Sequence, residues 1–377
     1  MVISQISLKN YRNYENVKLK FNRGINIIIG DNAQGKTNIL ESIYFLSVTK
    51  SYRTSDDFIL INQNKEIAKI SARIKDNTIP KTLEITINKR NKALFLNKTQ
   101  IKKVSDFIGI LNVVMMAPED VNIIKGSPSD RRSLFNIELS KLSKEYILKY
   151  NEYNKLLKMR NDYLKLLMTN SIADYRYLEV INEKIIERAV YIYKERKKLI
   201  DDVNNYLSEI YKDISGIQDL NIQYIPNFEI SEYTDEVLRK SLKHQYYKYN
   251  KKEILLGLTL YGPHRDDFEF RLGDKNIKYF GSQGQQKLAM ISLKIAILEV
   301  FKSRTGKIPL LLLDDIFSEL DRKKKNKLID YINNCDQVII TTTDIRDINR
   351  KKIRNGKIFE IKNKNIIEKG DLDGKTK

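Results

Sequence analysis

The chain has 377 residues, enough for two or three ordinary domains, and 41% of them are hydrophobic, enough for a true core. Lys and Arg total 68 against 48 Asp and Glu, a formal net charge of +20 that attracts polyanions: nucleic acid, an anionic membrane surface or acidic proteins. The single cysteine, Cys335, excludes an intramolecular disulfide framework and a cysteine metal cluster; with no signal-peptide core at the start and no apolar run of membrane-spanning length, the expectation is a cytoplasmic protein without a membrane partner.

In chain order, residues 2–9 and 15–21 read as strands about the turn NYRNY, and INIII (25–29), apolar on both faces, as a buried strand. Residues 36–48 read as a helix with Ile39, Leu40, Ile43, Leu46 and Ser47 down one side. Strands follow near 66–74, 82–88 and 92–97, the last two as a hairpin, and LNVVMM (111–116) is a further apolar strand. From Ser129 to about Tyr206 the pattern is helical with few breakers: Phe135, Leu139, Leu142, Tyr146, Tyr150, Tyr153 and Leu157 recur at steps of three and four, and TNSIAD separates a second helix starting near 173. These helices suit an ordinary packed lobe and are too short for long coiled-coil arms. Strand character returns near 221–230 and 267–272, and an amphipathic helix fits 283–303. IPLLLLDD (308–315) is a buried strand ending in acid, QVIITTT (337–343) is another strand, and the polar tail after Gly370 should fray.

GDNAQGKT (30–37), between an apolar strand and a helix, matches the phosphate-loop pattern G-x-x-x-x-G-K-T. Gly30 and Gly35 let the backbone curl so that the amides of Asp31, Asn32, Ala33 and Gln34 point inward, and the positive end of the helix adds to this anion nest. Lys36 would reach the β- and γ-phosphates of ATP, and the Thr37 hydroxyl would ligate Mg²⁺; the plainer alternative is a strand–helix turn with a stray lysine. LLLLDD supplies the acidic partner: Asp314 would hold Mg²⁺ through water and Asp315 would orient the attacking water, unless the pair merely caps the next helix. These elements bracket nearly the whole chain, whereas small nucleotide kinases keep theirs close. The sheet is therefore expected to assemble from both chain ends around a large insertion. In FGSQGQQ, Ser282, Gly284 and Gln285 open a helix and also suit phosphate, unless Ser282 is a simple cap. One chain cannot easily wrap two cradles around one nucleotide; two copies facing head to tail can.

With GDNAQGKT, SQGQQ, LLLLDDIFSELD and TTT in this order, the chain resembles the ABC-type ATPases of the chromosome-maintenance class and, within them, the RecF family of bacterial recombination mediators. LKNYRNYE (8–15), MAPEDVNIIKGSPSDRR (116–132) and YGPHRDDF (261–268) match as well. The resemblance implies an α/β fold, a P-loop ABC-type head of mixed sheets and flanking helices with an inserted helical lobe. The expected division is 1–128 and 251–377 for the two parts of the head and 129–250 for the insertion. It implies that Ser282, with Gln283, Gly284 and Gln285, meets the γ-phosphate of the partner's ATP, and that SELD (318–321), ending at Asp321, crosses the dimer interface. It further implies ATP-driven dimerisation on double-stranded and gapped DNA, weak DNA-stimulated hydrolysis and help in loading recombinase during repair, replication maintenance and the SOS response. The implied partners are RecR, with RecO and RecA in the same pathway, at the nucleoid.

Several positions depart from transporter ATPases. GSQGQ stands for LSGGQ, and the catalytic acid is Asp315, one methylene shorter than the usual Glu, so turnover should be slow. The only histidines are His244 and His264, neither at the switch position; Thr341 or Thr343 takes that place at the γ-phosphate. PED (118–120) falls where a Mg²⁺-sensing loop belongs, leaving Glu119 or Asp120. Arg12 would cover the phosphates or the adenine. His264, Arg265, Asp266 and Asp267 form either a structural salt-bridge cluster or a site near nucleotide or DNA. With no base-reading motif, DNA binding should rest on phosphate contacts, with NKRNK (88–92), KERKK (194–198) and RKKKNK (322–327) as contributors unless they are simply solvated. The alternatives are a transporter ATPase subunit, another SMC-like ATPase, or a small-molecule kinase.

Overall fold

Two kinds of burial pattern build two kinds of sheet. In the computed structural model, which describes residues 1–75, 79–169, 174–344, 353, 356–362 and 365–371, the N-terminal strands alternate. They are β1 (Val2–Tyr11), β2 (Tyr14–Lys20), β4 (Ile67–Lys75), β5 (Lys81–Asn88), β6 (Lys92–Leu96) and β7 (Thr99–Ile101). In β4, Ala68, Ile70, Ala72 and Ile74 are buried while the residues between them are not, the signature of a sheet wet on one face. The sheet is antiparallel throughout, in the order β2-β1-β4-β5-β6-β7. In the second sheet four strands are buried on both faces: β3 (Gly24–Ile29), β8 (Val113–Met116), β12 (Leu310–Asp314) and β13 (Gln337–Thr342). With β14 (Gly356–Lys362) they run parallel, and β15 (Asn365–Asp371) closes the edge antiparallel, in the order β15-β14-β3-β13-β12-β8.

Helix α1 (Lys36–Val48) joins these sheets into one core: Ile39, Leu40, Ile43 and Leu46 cluster with Ile6, Ile70 and Ile85 of one and Ile28, Leu312 and Ile339 of the other. It is buried on nearly all sides, which is why its sequence has little amphipathic contrast and why Glu41, Ser42 and Ser47 are enclosed with the apolar side chains.

The remaining helices are α2 (Val121–Lys125), α3 (Pro128–Leu142), α4 (Lys144–Thr169), α5 (Tyr175–Ser215), α6 (Asp235–Leu256), α7 (Ile277–Phe280), α8 (Gln283–Thr305) and α9 (Arg322–Ile332). A small antiparallel sheet pairs β10 (Asp267–Leu272) with β9 (Leu220–Ile225) and with β11 (Lys275–Asn276). The chain divides into two compact units, one of residues 1–121, 209–218 and 283–377, the other of 122–208 and 219–282. The first unit thus draws on both chain ends and on residues 209–218. Residues 251–282, expected with the head, belong instead to the helical unit, because β10 pairs with β9 along six residues. Sequence reading leaves α6, α9, β14 and β15 unassigned, along with several shorter elements. α6 is polar and Lys-rich, with buried Leu238, Leu242 and Tyr246 as a thin stripe between its Thr234 cap and Gly257. The polar tail from 372 onward lies outside the described residues.

Candidate nucleotide site

The phosphate loop leaves the carboxyl end of β3, and Gly35, at φ +102°, ends it at the N-terminus of α1. A side chain there would strike Asn13 and Tyr14, with a Cβ only 2.5 Å from Asn13 Nδ2. The first turn of α1 has no side-chain cap and no acidic residue, so its amide dipoles face an anion site without internal competition. Lys36 folds back along the loop and donates to the carbonyls of Gly30 (2.6 Å) and Asp31 (2.9 Å). Burial lowers its affinity for a proton, and the nearby carboxylates of Asp315, Asp314 and Asp31 oppose that shift.

Thr37 donates its hydroxyl to Asp314 Oδ1 at 3.0 Å, across 277 positions of sequence. The register explains the meeting. β13 lies between β3 and β12, Thr341 pairs with Ile28 on one side and Asp314 on the other, and the carboxyl ends of all three strands therefore align. Thr341, fully buried, donates to Asp314 Oδ1 at 2.6 Å. Tyr52 reaches Asp314 Oδ2 at 3.4 Å. Burial raises the Asp314 carboxyl above its ordinary range, and the Glu119 carboxylate adds to the rise, while the hydroxyls of Thr341, Thr37 and Tyr52 hold it back. A hydroxyl and a carboxylate, both hard oxygen donors beside an anion-seeking loop, suit Mg²⁺.

Asp315 turns out of the strand in a left-handed conformation (φ 51°), its amide donating to Thr341 at 3.1 Å. Thr343 lies exposed beyond the end of β13. Of the two acids in PED, Asp120 accepts from the amide of Ala117 at 3.0 Å, whereas Glu119 is exposed and acts on Asp314 through its charge. Asp31, Asn32 and Ala33 are exposed, and the Gln34 carbonyl accepts from Asn13 at 3.3 Å. Ser282, Gln283 and Gly284 face solvent at the start of α8, with Gln285 half-buried. Asp321 caps α9, accepting from the Lys324 amide at 3.0 Å, and Ser318 donates to the Asp315 carbonyl at 2.7 Å.

Arg12 grips Glu41 of α1 with two bonds of 2.9 and 2.6 Å. Ser51 donates to the same carboxylate at 2.6 Å, and Arg53 lies 3.8 Å from it while donating to Asn38 at 3.0 Å. Asn38 in turn donates to Asn13 at 2.8 Å, beneath the loop. Sequence reasoning missed Tyr52, Arg53, Glu41 and Asn13. The one local hint was a glutamate inside an otherwise enclosed helix, which demands a cationic partner.

Both aspartates of YGPHRDD are paired within the helical unit, while Arg265 is exposed. Asp266, fully buried, accepts from Arg196 at 3.0 Å and from Tyr224, and Asp267 takes a two-pronged bond from Arg131 at 2.7 and 2.9 Å. The cluster is thus a structural salt-bridge network, and Arg196 of KERKK is a buried member of it, not a surface cation.

A phosphate-loop strand–helix unit whose acidic partner ends a parallel strand one place removed in the same sheet, in a head assembled from both chain ends, defines an ABC-type P-loop ATPase head. The family described as RecF/RecN/SMC N terminal domain matches residues 2–366. The chain is 39% identical over 368 residues to DNA replication and repair protein RecF of Bacillus cereus, covering 96% of this chain and 97% of that one. RecF of Bacillus anthracis gives the same figures. The solved structure of the recombination mediator protein RecF with ATP, of the RecFOR pathway, superimposes with a TM-score of 0.89 at 30% identity, covering 98% and 97% of the two chains. An Smc head bound to the C-terminal winged-helix domain of ScpA, at 16% identity and a TM-score of 0.56, shares the fold. The chain belongs to the RecF/RecN/SMC family, in its RecF branch.

Proposed function

We propose that this chain is an ATP-dependent DNA-binding protein of recombinational repair and replication maintenance. ATP, with Mg²⁺ held by Thr37 and Asp314, sits in the loop of one copy and is closed by Ser282, Gln283, Gly284 and Gln285 of a second. The observation that carries this reading is the Thr37–Asp314 contact beside the carbonyl-bound Lys36, because both leave hydrogen-bonding groups that a triphosphate and its cation can take over. Lys36 exchanges its carbonyls for β- and γ-phosphate oxygens. Asp315 orients the water that attacks the γ-phosphorus as ADP leaves; Mg²⁺, if held by Thr37 and Asp314, would supply charge neutralisation at the phosphate oxygens. The short reach of Asp315 makes this a slow switch, and the closed dimer, with its doubled positive charge, grips DNA phosphates. The RecFOR pathway of a relative and the DNA repair role of others favour DNA as the target and RecR and RecO as partners; gapped DNA and RecA complete the reading.

A transporter subunit is disfavoured by the SQGQQ form and by the relatives' names. Light scattering with and without ATPγS and duplex DNA tests the reading: a dimer forms only with nucleotide, and Ser282→Arg abolishes it while leaving ATP bound. Loss of nucleotide affinity in Ser282→Arg would instead assign that serine to its own copy's site.

A further inference from the structure

The end of β13 changes character where the strand meets the two acids. Val338, Ile339 and Ile340 are fully buried and apolar; Thr341 and Thr342 are just as buried but carry hydroxyls. Valine would fill the place of Thr341 with the same branched shape and the same fitness for a strand. A hydroxyl taken out of water costs stability unless it is bonded. That of Thr341 is bonded on both sides. It donates to Asp314 Oδ1 at 2.6 Å, in preference to the Leu313 carbonyl at 3.4 Å, and accepts from the Asp315 amide at 3.1 Å.

Each bond constrains one acid. Thr341 and Thr37 both hold Oδ1 of Asp314, so its carboxylate cannot turn without losing two donors, and Oδ2 keeps the longer contact with Tyr52 at 3.4 Å. Asp315 stands in the left-handed region, φ 51° and ψ 25°, which a residue with a side chain keeps only where its surroundings hold it. The holding groups are visible. Its amide is shared between the hydroxyl and the carbonyl of Thr341, both at 3.1 Å, and its carbonyl accepts from Ser318 at 2.7 Å. This turn sets the direction in which the Asp315 side chain leaves the strand.

We propose that Thr341 is a positioning residue: one hydroxyl sets both the carboxylate offered to the cation and the turn that aims the water-orienting acid. The proposal rests on the ATPase reading above and names a residue that reading does not need. Fully buried and bonded on both sides, Thr341 has no free surface for a γ-phosphate and acts through Asp314 and Asp315.

The test compares Thr341→Val, which keeps the shape and loses the hydroxyl, with Thr341→Ser, which keeps the hydroxyl and loses a buried methyl. Three measurements on the full chain are needed: binding of a fluorescent ATP analogue in EDTA, Mn²⁺ affinity of the ATPγS complex by electron paramagnetic resonance, and single-turnover ATP hydrolysis with duplex DNA. Thr341→Val should bind the analogue in EDTA as the unmodified chain does. It should weaken Mn²⁺ by about tenfold and slow hydrolysis by about tenfold or more. Thr341→Ser should recover most of both, although its urea midpoint should be the lower of the two. Mn²⁺ affinity and hydrolysis unchanged in Thr341→Val overturn the positioning role and leave the site standing. Losses that follow the urea midpoint, greater in Ser than in Val, overturn it in favour of plain packing. Weakened analogue binding in EDTA overturns it too, and puts the hydroxyl on the phosphate itself. If the unmodified chain neither takes up Mn²⁺ with ATPγS nor hydrolyses ATP, the ATPase reading fails and this proposal with it.

Discussion

The loop around Lys36 and the core of the helical unit both enclose charge, and they do so in opposite ways. In the helical unit, Arg160 and Glu253 are fully buried and bonded at 2.6 Å. The other nitrogens of Arg160 donate to Thr259 and Asn182, its guanidinium lies 4.1 Å from the centre of the Tyr246 ring, and Glu253 also accepts from the Leu260 amide. Arg196, Asp266, Tyr224, Asn227 and Pro263 repeat the scheme. Each group is held by side chains and amides that have no exit to water, so the network orders a core and is closed to ligands. Lys36 instead rests on two backbone carbonyls, and Asp314 on three hydroxyls. Those partners are neutral, so the proposed phosphate and cation would compete with dipoles and not with opposite charges. Buried charge facing buried charge is architecture; buried charge facing neutral dipoles is a site in waiting.

The contrast can be broken from the structural side with the largest effect. Arg160→Met strands the Glu253 carboxylate and should lower unfolding free energy by about 3–5 kcal/mol, whereas Arg160→Met with Glu253→Met should recover most of it; urea denaturation reads both. Lys36→Met should act the other way round. It removes at least two charge-assisted bonds to phosphate, about 3 kcal/mol and so more than a hundredfold in affinity for a fluorescent ATP analogue. Stability should change by less than about 1 kcal/mol, because only two carbonyl bonds are lost. Equal losses of stability in the two variants would erase the distinction.

A pH series sharpens it. Burial lowers His264 to about 4, and its ring accepts from Tyr153 at 2.6 Å while the other nitrogen donates to the Thr259 carbonyl, an arrangement that requires the neutral imidazole. The unfolded chain takes up this proton near pH 6.5 and the folded one does not until about 4, so stability falls as pH drops through that window. Asp266, raised to about 6 by burial and held back by Arg196, works in the opposite direction: the folded state takes up its proton first, which adds stability as pH falls from about 6 towards 4. His264→Gln should therefore shrink the stability lost between pH 7 and 4.5 by about 1–2 kcal/mol, as followed by denaturant titration at each pH.

The smallest effect belongs to the surface. Lys327 pairs with Asp213 at 2.6 Å at the surface, and Lys327→Gln should leave the urea midpoint essentially unchanged. If RKKKNK touches DNA, the slope of log affinity against log salt should fall by about 1, measured by fluorescence anisotropy.

Much of the head was legible in the chain because its signals are local. The helix 36–48 and the strands near 25–29, 310–314 and 337–342 stand where uninterrupted apolar runs and glycine punctuation put them. Less could be read in the helical unit. The charges of YGPHRDD allowed two readings, and only the positions of Arg131 and Arg196 decided between them. α6 gave a stripe of three residues, too thin against a polar background.

By itself the sequence determined the strand–loop–helix unit that carries Gly30, Gly35, Lys36 and Thr37, since a loop of fixed spacing next to a helix end is a contiguous object whose chemistry travels with it. Tertiary structure alone decided that Asp314 accepts from both Thr37 and Thr341, that Tyr52 joins them, and that Arg12 answers Glu41. Those contacts depend on strand order and register. β13 enters between β3 and β12 from far along the chain, and no spacing of residues encodes which strand will lie beside which.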